Sequence, residues 1–212
     1  MREFPKRIIM TICGVSISGL SVGLFSYSHM GLDPFQVFAH GTWNALTRAL
    51  PLDFGTYYAI LNAILLVIIF FWNRKKIGLG TIINLFLIGY FAEFMEFILR
   101  KIDPDPNFLF RMISLLAGIV IMCMASALYF TADLGVSTYD AVALTISERH
   151  PRWSFKFIRI TTDLICVILG GLLGGTIGIG TIITAFFMGP LISFFNRHLA
   201  EPLLYGNAKK DA

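Results

Sequence analysis

Charge is scarce in this sequence. Of 212 residues, 17 are Lys or Arg and 13 are Asp or Glu, so charged residues make up 14% of the chain. An ordinary soluble domain carries about 25%. The formal net charge of +4 does not mark a nucleic-acid-binding surface, because the basic residues cluster between apolar runs, where membrane orientation requires them. Cysteine is equally sparse. Cys13, Cys123 and Cys166 show no metal-ligand or redox spacing, and each falls within an apolar run, where buried inert thiols are expected. His29, His40, His150 and His198 are scattered without metal spacing. No Gly-x-Ser-x-Gly, His-Glu-x-x-His or Walker loop occurs. The expectation is therefore a non-enzyme with no cofactor and no metal site.

What the chain has instead is long hydrophobic runs, with 56% of its residues apolar. A span needs roughly 20 apolar residues to cross about 30 Å of hydrocarbon. Six runs qualify, at about 8–28, 55–72, 79–99, 108–130, 157–173 and 178–196. The fifth is short, so five spans with a re-entrant piece is the rival count. The basic groups Arg2, Lys6 and Arg7, Arg74, Lys75 and Lys76, Arg149, Arg152 and Lys156, and Lys209 and Lys210 all fall on one side if six spans are drawn with both termini cytoplasmic. Arg48, Arg100, Lys101 and Arg111 remain outside, accompanied by Asp53, Asp103 and Asp105. The first run lacks a short h-region and an Ala-x-Ala site, so it reads as an uncleaved anchor. The lipid bilayer is the one partner this composition demands.

The chain is also written twice. Ile77-Gly78-Leu79-Gly80-Thr81-Ile82-Ile83 returns as Ile177-Gly178-Ile179-Gly180-Thr181-Ile182-Ile183, and Met30-Gly31-Leu32-Asp33-Pro34-Phe35-Gln36 returns as Leu134-Gly135-Val136-Ser137-Thr138-Tyr139-Asp140. Two matches in the same order point to an internal duplication. Three spans per copy force the second copy to insert upside down. The predicted fold is therefore an all-α membrane protein, a single integral domain over 1–212. It has six transmembrane helices as an inverted 3+3 repeat, repeat 1 at 8–99 and repeat 2 at 108–199. Such a repeat either supports alternating access or simply builds a stable bundle from a duplicated gene.

A short segment follows the first span of each copy. Asp33 and Pro34 read as N-cap and N1, with Gln36 at N3 completing a capping box. Ser137 and Asp140 repeat the device. Each segment, 33–47 and 137–147, is too short to span and suits either a re-entrant half-helix or an interfacial helix anchored by Trp43 and Phe38. A re-entrant half-helix would offer its N-terminus to an anionic group. The Gly-x-Gly-Thr segments are not nucleotide fingerprints, since no strand precedes them. Thr81 with Asn84, and Thr181 with Thr184, share a helix face at i, i+3. They either line a cavity or mark a close helix crossing, as Gly19, Gly23 and the glycines at 170, 171, 174, 175 and 178 also do.

Ionisable groups inside spans are costly and so informative. Glu96 pairs with Arg100 at i, i+4, which leaves Glu93 as a coupling candidate. Arg159 and Asp163 form another i, i+4 pair. They either neutralise each other, or serve as an anion-binding cation and a coupling carboxylate. The Gly189-Pro190 step is expected to kink or break the last helix.

The Gly-Leu-x-Pro-aromatic-x-Val pattern at 31–37, the two Gly-x-Gly-Thr segments and Gly189-Pro190 resemble the YczE/YyaS/YitT group of small bacterial membrane proteins. The YczE branch is the better match, because the soluble C-terminal domain of the YitT branch is lacking. That group commonly has an aromatic–Asp step in the first short segment; here it is Phe35-Gln36, whereas Tyr139-Asp140 keeps the acid. The resemblance implies a multi-pass bacterial inner-membrane protein and names no substrate. Three functions fit the residues: a secondary transporter or permease for a small solute, a non-transporting scaffold or regulatory binding subunit, and a lipid-handling protein. A homo-oligomer is compatible with each. For the transporter, Asp33, Gln36, Thr81, Asn84, Ser137, Asp140, Arg159, Asp163, Thr181 and Thr184 are the expected solute-binding residues, with Glu93 and Asp163 for coupling.

Overall fold

The computed structural model describes residues 3–47 and 54–206, and all regular structure among them is helical. Arg2, Arg48, Asp53, Lys209 and Lys210, used above for orientation, lie outside the described residues. The helices are α1 (Glu3–Ser28), α2 (Pro34–Thr47), α3 (Phe54–Asn73), α4 (Leu79–Ile102), α5 (Phe108–Ala132), α6 (Thr138–Arg149), α7 (Phe155–Leu172), α8 (Ile179–Phe195) and α9 (Glu201–Tyr205). Among the described residues, five helices are long and apolar enough to cross a membrane: α1, α3, α4, α5 and the α8–α9 stretch. The expected span at 157–173 is α7, which forms but is not one of the five. Its 18 residues include Lys156, Arg159 and Asp163, more charge than hydropathy alone tolerates in a span. The six-span count thus reduces to five on length and apolarity.

Helices α1, α4, α5, the end of α8 and α9 form one compact unit. Small residues set its helix crossings. A Cβ on Gly19 would fall 2.6 Å from the Cβ of Phe91, and one on Gly23 2.7 Å from that of Met95, so α1 and α4 approach as only glycine permits. Where α1 meets α5, a Cβ on Gly14 would press on the Ala125 carbonyl at 3.0 Å, and one on Gly118 on the Ser21 carbonyl at 3.2 Å. At one end of α1, Arg111 donates to the carbonyls of Ser28 (2.6 Å) and His29 (2.8 Å), satisfying groups that a helix terminus leaves open. Glu96 and Arg100 pair at 2.7 Å. At the other end, Met10, Ala127, Leu128, Ala132, Ala200 and Leu204 form a buried cluster.

Helices α2, α3, α6, α7 and α8 up to Gly189 form the second unit. Here α2 crosses α7 through glycine, because a Cβ on Gly170 would lie 2.6 Å from the Phe38 Cα. Gly189 of α8 packs against α7, where a Cβ would stand 2.8 Å from the Lys156 carbonyl and 3.2 Å from the Arg159 Cβ. Arg149 donates to the Trp72 carbonyl at 2.8 Å, which brings the end of α6 to the end of α3.

Pro190 does not break α8. The helix continues through it to Phe195 and then widens into a π-helical turn, Asn196–Ala200. Pro190 lacks an N–H, so the Phe186 carbonyl loses its helical donor there, and the two units divide at this residue. The three thiols are not joined in disulfides. Cys123 is buried as expected, whereas Cys13 is on an exposed face of α1.

Candidate functional site

The second unit holds an ion network with little access to solvent. It starts with the loop into α6. Gly135 carries φ +105 and Gly31, its counterpart in the first copy, φ +134; both lie in the left-handed region that suits glycine. Each glycine lets the chain turn into a short helix. The Asp33 carboxylate caps α2, accepting from the backbone N–H groups of Phe35 (3.0 Å) and Gln36 (3.2 Å). This is the forward half of the expected capping box. In α6 the first turn carries the half-buried Tyr139 and the buried Asp140.

From α7, Arg159 and Asp163 meet them. One helical turn separates the pair, so both fall on one face. Arg159 is 5% exposed, Asp163 0% and Asp140 8%. Arg159 Nε donates to Asp163 Oδ2 at 3.2 Å, and its Nη1 donates to Asp140 Oδ1. The Tyr139 hydroxyl donates to Asp163 Oδ1 at 2.5 Å, while the guanidinium carbon lies 4.6 Å from the centroid of the Tyr139 ring, within cation–π range. Phe35 from α2 stacks on Tyr139, with ring centroids 4.9 Å apart and 16° between planes. Phe35 also touches Tyr58 of α3 at 5.8 Å. Asn62, one turn beyond Tyr58, accepts from the Thr138 hydroxyl at 2.7 Å. Arg159 is therefore doubly engaged by carboxylates of its own chain, and two carboxylates face one guanidinium.

The Gly-x-Gly-Thr segments take a different part. In the second unit, Gly180 N donates to the Met30 carbonyl at 2.9 Å, and the Thr181 hydroxyl donates to the Leu32 carbonyl at 2.6 Å. In the first unit, Gly80 N donates to the Leu134 carbonyl at 2.7 Å, and the Thr81 hydroxyl donates to the Val136 carbonyl at 2.8 Å. Each segment thus holds the glycine loop of the other copy. Both threonine hydroxyls also accept from the backbone N–H of the glycine three residues before, Gly78 and Gly178. Thr184 donates to carbonyls of its own helix, those of Gly180 and Thr181.

Of the residues singled out from sequence, Asp33, Gln36, Asp140, Arg159, Asp163, Thr181 and Thr184 belong to the second unit, and Thr81, Asn84, Glu93 and Ser137 to the first. Asn84 has a buried side-chain nitrogen with no hydrogen-bond partner. Glu93 lies exposed on the outward stripe of α4, beside the exposed aromatics Tyr90, Phe94 and Phe97. Sequence reasoning passed over Phe35, Tyr58, Asn62 and Tyr139 as binding or network residues. The available signal was an aromatic immediately before Asp140, at the start of a short capped helix. Among the described residues, no group of three or more His, Cys, Asp or Glu is arranged to hold a metal ion.

The model of a family of unknown function, DUF6198, matches residues 5–197 of the chain. An uncharacterized protein of Haemophilus influenzae (strain ATCC 51907 / DSM 11121 / KW20 / Rd) is 32% identical over 92% of this chain and 86% of its own length. The uncharacterized membrane protein YczE of Bacillus subtilis (strain 168) is 26% identical over 100% of this chain and 95% of its own length. The uncharacterized protein YyaS of the same strain is 25% identical over 86% and 88%. No solved structure matches.

Proposed function

We propose that this chain, which belongs to the DUF6198 family and is a YczE/YyaS-like membrane protein, is a secondary transporter for a small solute. The observation that carries this reading is the Asp140–Arg159–Asp163 network, which is buried, whereas the charges of α4, Glu93, Glu96, Arg100 and Lys101, lie half-buried or exposed. Burying a salt bridge is a poor way to gain stability, because desolvation offsets the Coulombic attraction and well-packed apolar residues often do as well or better. Ionisable groups at membrane depth instead mark pathways and binding sites.

The two copies supply the second support. Each Gly-x-Gly-Thr segment binds the glycine loop of the other, through the same backbone and hydroxyl atoms. This reciprocity fits an inverted repeat, with α2 and α6 as half-helices and α7 as a sixth, charge-bearing crossing. In such a repeat the solute site lies where the half-helices meet, near midplane. The stacked Phe35 and Tyr139, one from each short helix, support putting the site there. The Arg149 contact with the Trp72 carbonyl sets the basic turn at Arg74 and the basic end of α6 at the same end of the second unit. This fits a positive inner face with both termini cytoplasmic in a bacterial inner membrane.

The test is flux. Vesicles containing the purified protein and a trapped pH-sensitive dye are challenged in turn with small carboxylates, amino acids and amines. A solute-dependent signal is expected, lost in Arg159→Ala and in Asp163→Asn protein that still elutes as a folded species. Undiminished flux in both folded variants overturns the site.

A further inference from the structure

Glu93 stands on a bare apolar face of α4. This helix runs parallel to α1 in the first unit, since Gly19 packs at Ile88 and Phe91, and Gly23 at Ala92, Met95 and Glu96. Glu93 is thus level with Gly23, about 8 Å inside the Ser28 end of α1. Exposed aromatics flank it on both sides, Phe86 at 61% and Phe97 at 64%. Among the described residues Glu93 makes no hydrogen bond or ion pair. The cations near this end are engaged elsewhere. Arg100 holds Glu96 at 2.7 Å, Arg111 holds the Ser28 and His29 carbonyls, and Lys101 stands over the Phe97 ring at 5.5 Å. Lipid tails cover an apolar helix face, but they offer a carboxyl group, ionised or protonated, no hydrogen-bond partner.

The residues around Glu93 are spaced as a helix seam. Phe86, Tyr90, Glu93 and Phe97 follow one another at intervals of four, three and four, the a/d spacing along which two parallel helices pack. Tyr90 is 75% exposed, and a shallow concavity lies between it, Phe91 and Phe94. Beside the seam is Gly89. Gly14, Gly19, Gly23 and Gly118 each press on a neighbouring helix, whereas a Cβ on Gly89 would meet nothing within 4 Å. Its counterpart in the second copy, Gly189, is covered by α7. A small residue on a spanning helix marks the close approach of another helix, and at Gly89 no described residue supplies one.

We propose that the α4 face around Glu93 is an interface between two copies of this chain, paired about a two-fold axis normal to the membrane. The choice of a second copy follows from the complementarity of this face with itself. A two-fold axis brings like surfaces together, and copies inserted with the same orientation set α4 against α4 in parallel. The face carries a phenol donor and a carboxyl acceptor three residues apart, about 4.5 Å along the helix axis. Tyr90 of one copy donates to Glu93 of the second copy, and the bond is made twice. With Glu93 protonated, the phenol oxygen accepts instead, as a hydroxyl can. Phe86 and Phe97 close the seam on either side of this bond, and Gly89 lets the backbones approach. A foreign helix bearing a cation would answer Glu93 alone and leave the Tyr90 hydroxyl in lipid, whereas a second copy answers both. The inference stands apart from transport, because α4 belongs to the first unit and the Arg159 network to the second.

The experiment measures the oligomeric state of the full chain in lipid vesicles, by single-molecule photobleaching over a range of protein-to-lipid ratios. A dimer is expected. Glu93→Leu and Gly89→Leu should each raise its dissociation constant about tenfold or more, since each disturbs a hydrogen bond made twice between helices. Glu93→Gln keeps an acceptor oxygen and should associate nearly as well as the unaltered chain. Both positions are open in the single chain, so the thermal midpoint of the monomer should not fall, which separates lost association from lost folding. Crosslinking locates the interface independently. In a chain with Cys13, Cys123 and Cys166 replaced by alanine, Phe86→Cys and Phe97→Cys should crosslink between copies. Leu116→Cys, on an exposed face of α5, should not. Each of four results overturns the proposal: a monomer at every ratio, a dimer that Glu93→Leu and Gly89→Leu leave unweakened, crosslinking through Leu116→Cys in place of α4, or α4 crosslinks to a different protein.

Discussion

Helices α3 and α7 start in the same register and carry different chemistry. Counted from Phe54 and Phe155, Tyr58 and Arg159 each stand fifth, and Asn62 and Asp163 each stand ninth. At the preceding short helices, Phe35 matches Tyr139 and Gln36 matches Asp140. In the second copy these positions form a charged network, while in the first they hold neutral hydrogen-bonding or aromatic groups. The Gly-x-Gly-Thr corners do not diverge in this way and make equivalent bonds in both copies. A corner that recurs with its bonding intact does structural work that each copy needs. A charge present in one copy alone is not required by the architecture, since the other copy folds at the same register without it.

The largest test of this contrast removes the cation. Arg159→Ala leaves Asp140 and Asp163 buried without their counter-ion, and breaking a buried ion network in this way costs about 3–5 kcal/mol. Thermal unfolding in detergent should show it as a large drop in midpoint. Tyr58→Phe, at the same register of α3, should cost less than about 1 kcal/mol, because the ring packing against Phe35 survives. The combined variant Arg159→Met, Asp140→Asn and Asp163→Asn removes all three charges together and should recover most of the stability while carrying no flux. A triple variant as unstable as Arg159→Ala would mean that the network holds the fold, and the division between structure and function drawn here would fail.

A smaller change writes the missing charge into the first copy. Asn62→Asp keeps a side-chain oxygen where the Thr138 hydroxyl donates but sets a carboxylate oxygen against the Tyr58 carbonyl, to which the Asn62 amide donates. A loss of roughly 1–3 kcal/mol is expected, the range for a buried polar group left poorly satisfied. Adding Tyr58→Arg one turn earlier recreates the i, i+4 arrangement of α7 and should return part of that loss. The readout is the coupling energy of the double-mutant cycle. A coupling of zero would show that equal register does not mean equivalent surroundings.

These relations were unequally legible in the sequence. Hydropathy located α1, α3, α4, α5 and α8, because long apolar runs have few other uses. It also counted α7, where a short apolar run outweighed Lys156, Arg159 and Asp163 in the reading but not in the helix itself. The Asp33–Pro34 step announced α2, and the glycines announced close crossings without naming partners. The i, i+4 rule found Arg159 with Asp163 but not Asp140, which arrives from another helix. Nor was it readable that Thr81 and Thr181 would hold backbone carbonyls of the other copy's loop. A carbonyl partner leaves no trace in residue identity, so that contact exists only once the chain is folded. At Pro190, where a kink or a break was expected, the helix continues, since it can pass one missing N–H.

The corners give the finest test, because it asks for equality. Thr81→Val and Thr181→Val each remove one hydroxyl that donates to a loop carbonyl and accepts from a glycine N–H. Valine keeps the shape, so the loss should reflect those hydrogen bonds alone, about 0.5–2 kcal/mol each at membrane depth. Midpoints from chemical or thermal unfolding should fall by the same amount in both variants, and the double variant by their sum if the corners act independently. Flux should persist in both, since neither hydroxyl belongs to the charged network. Unequal losses would mean that one corner bears more of the fold than the other. Loss of flux in Thr181→Val alone would tie the second corner to the Arg159 site through the Met30–Leu32 loop that leads into α2, and would make that loop part of the transport machinery.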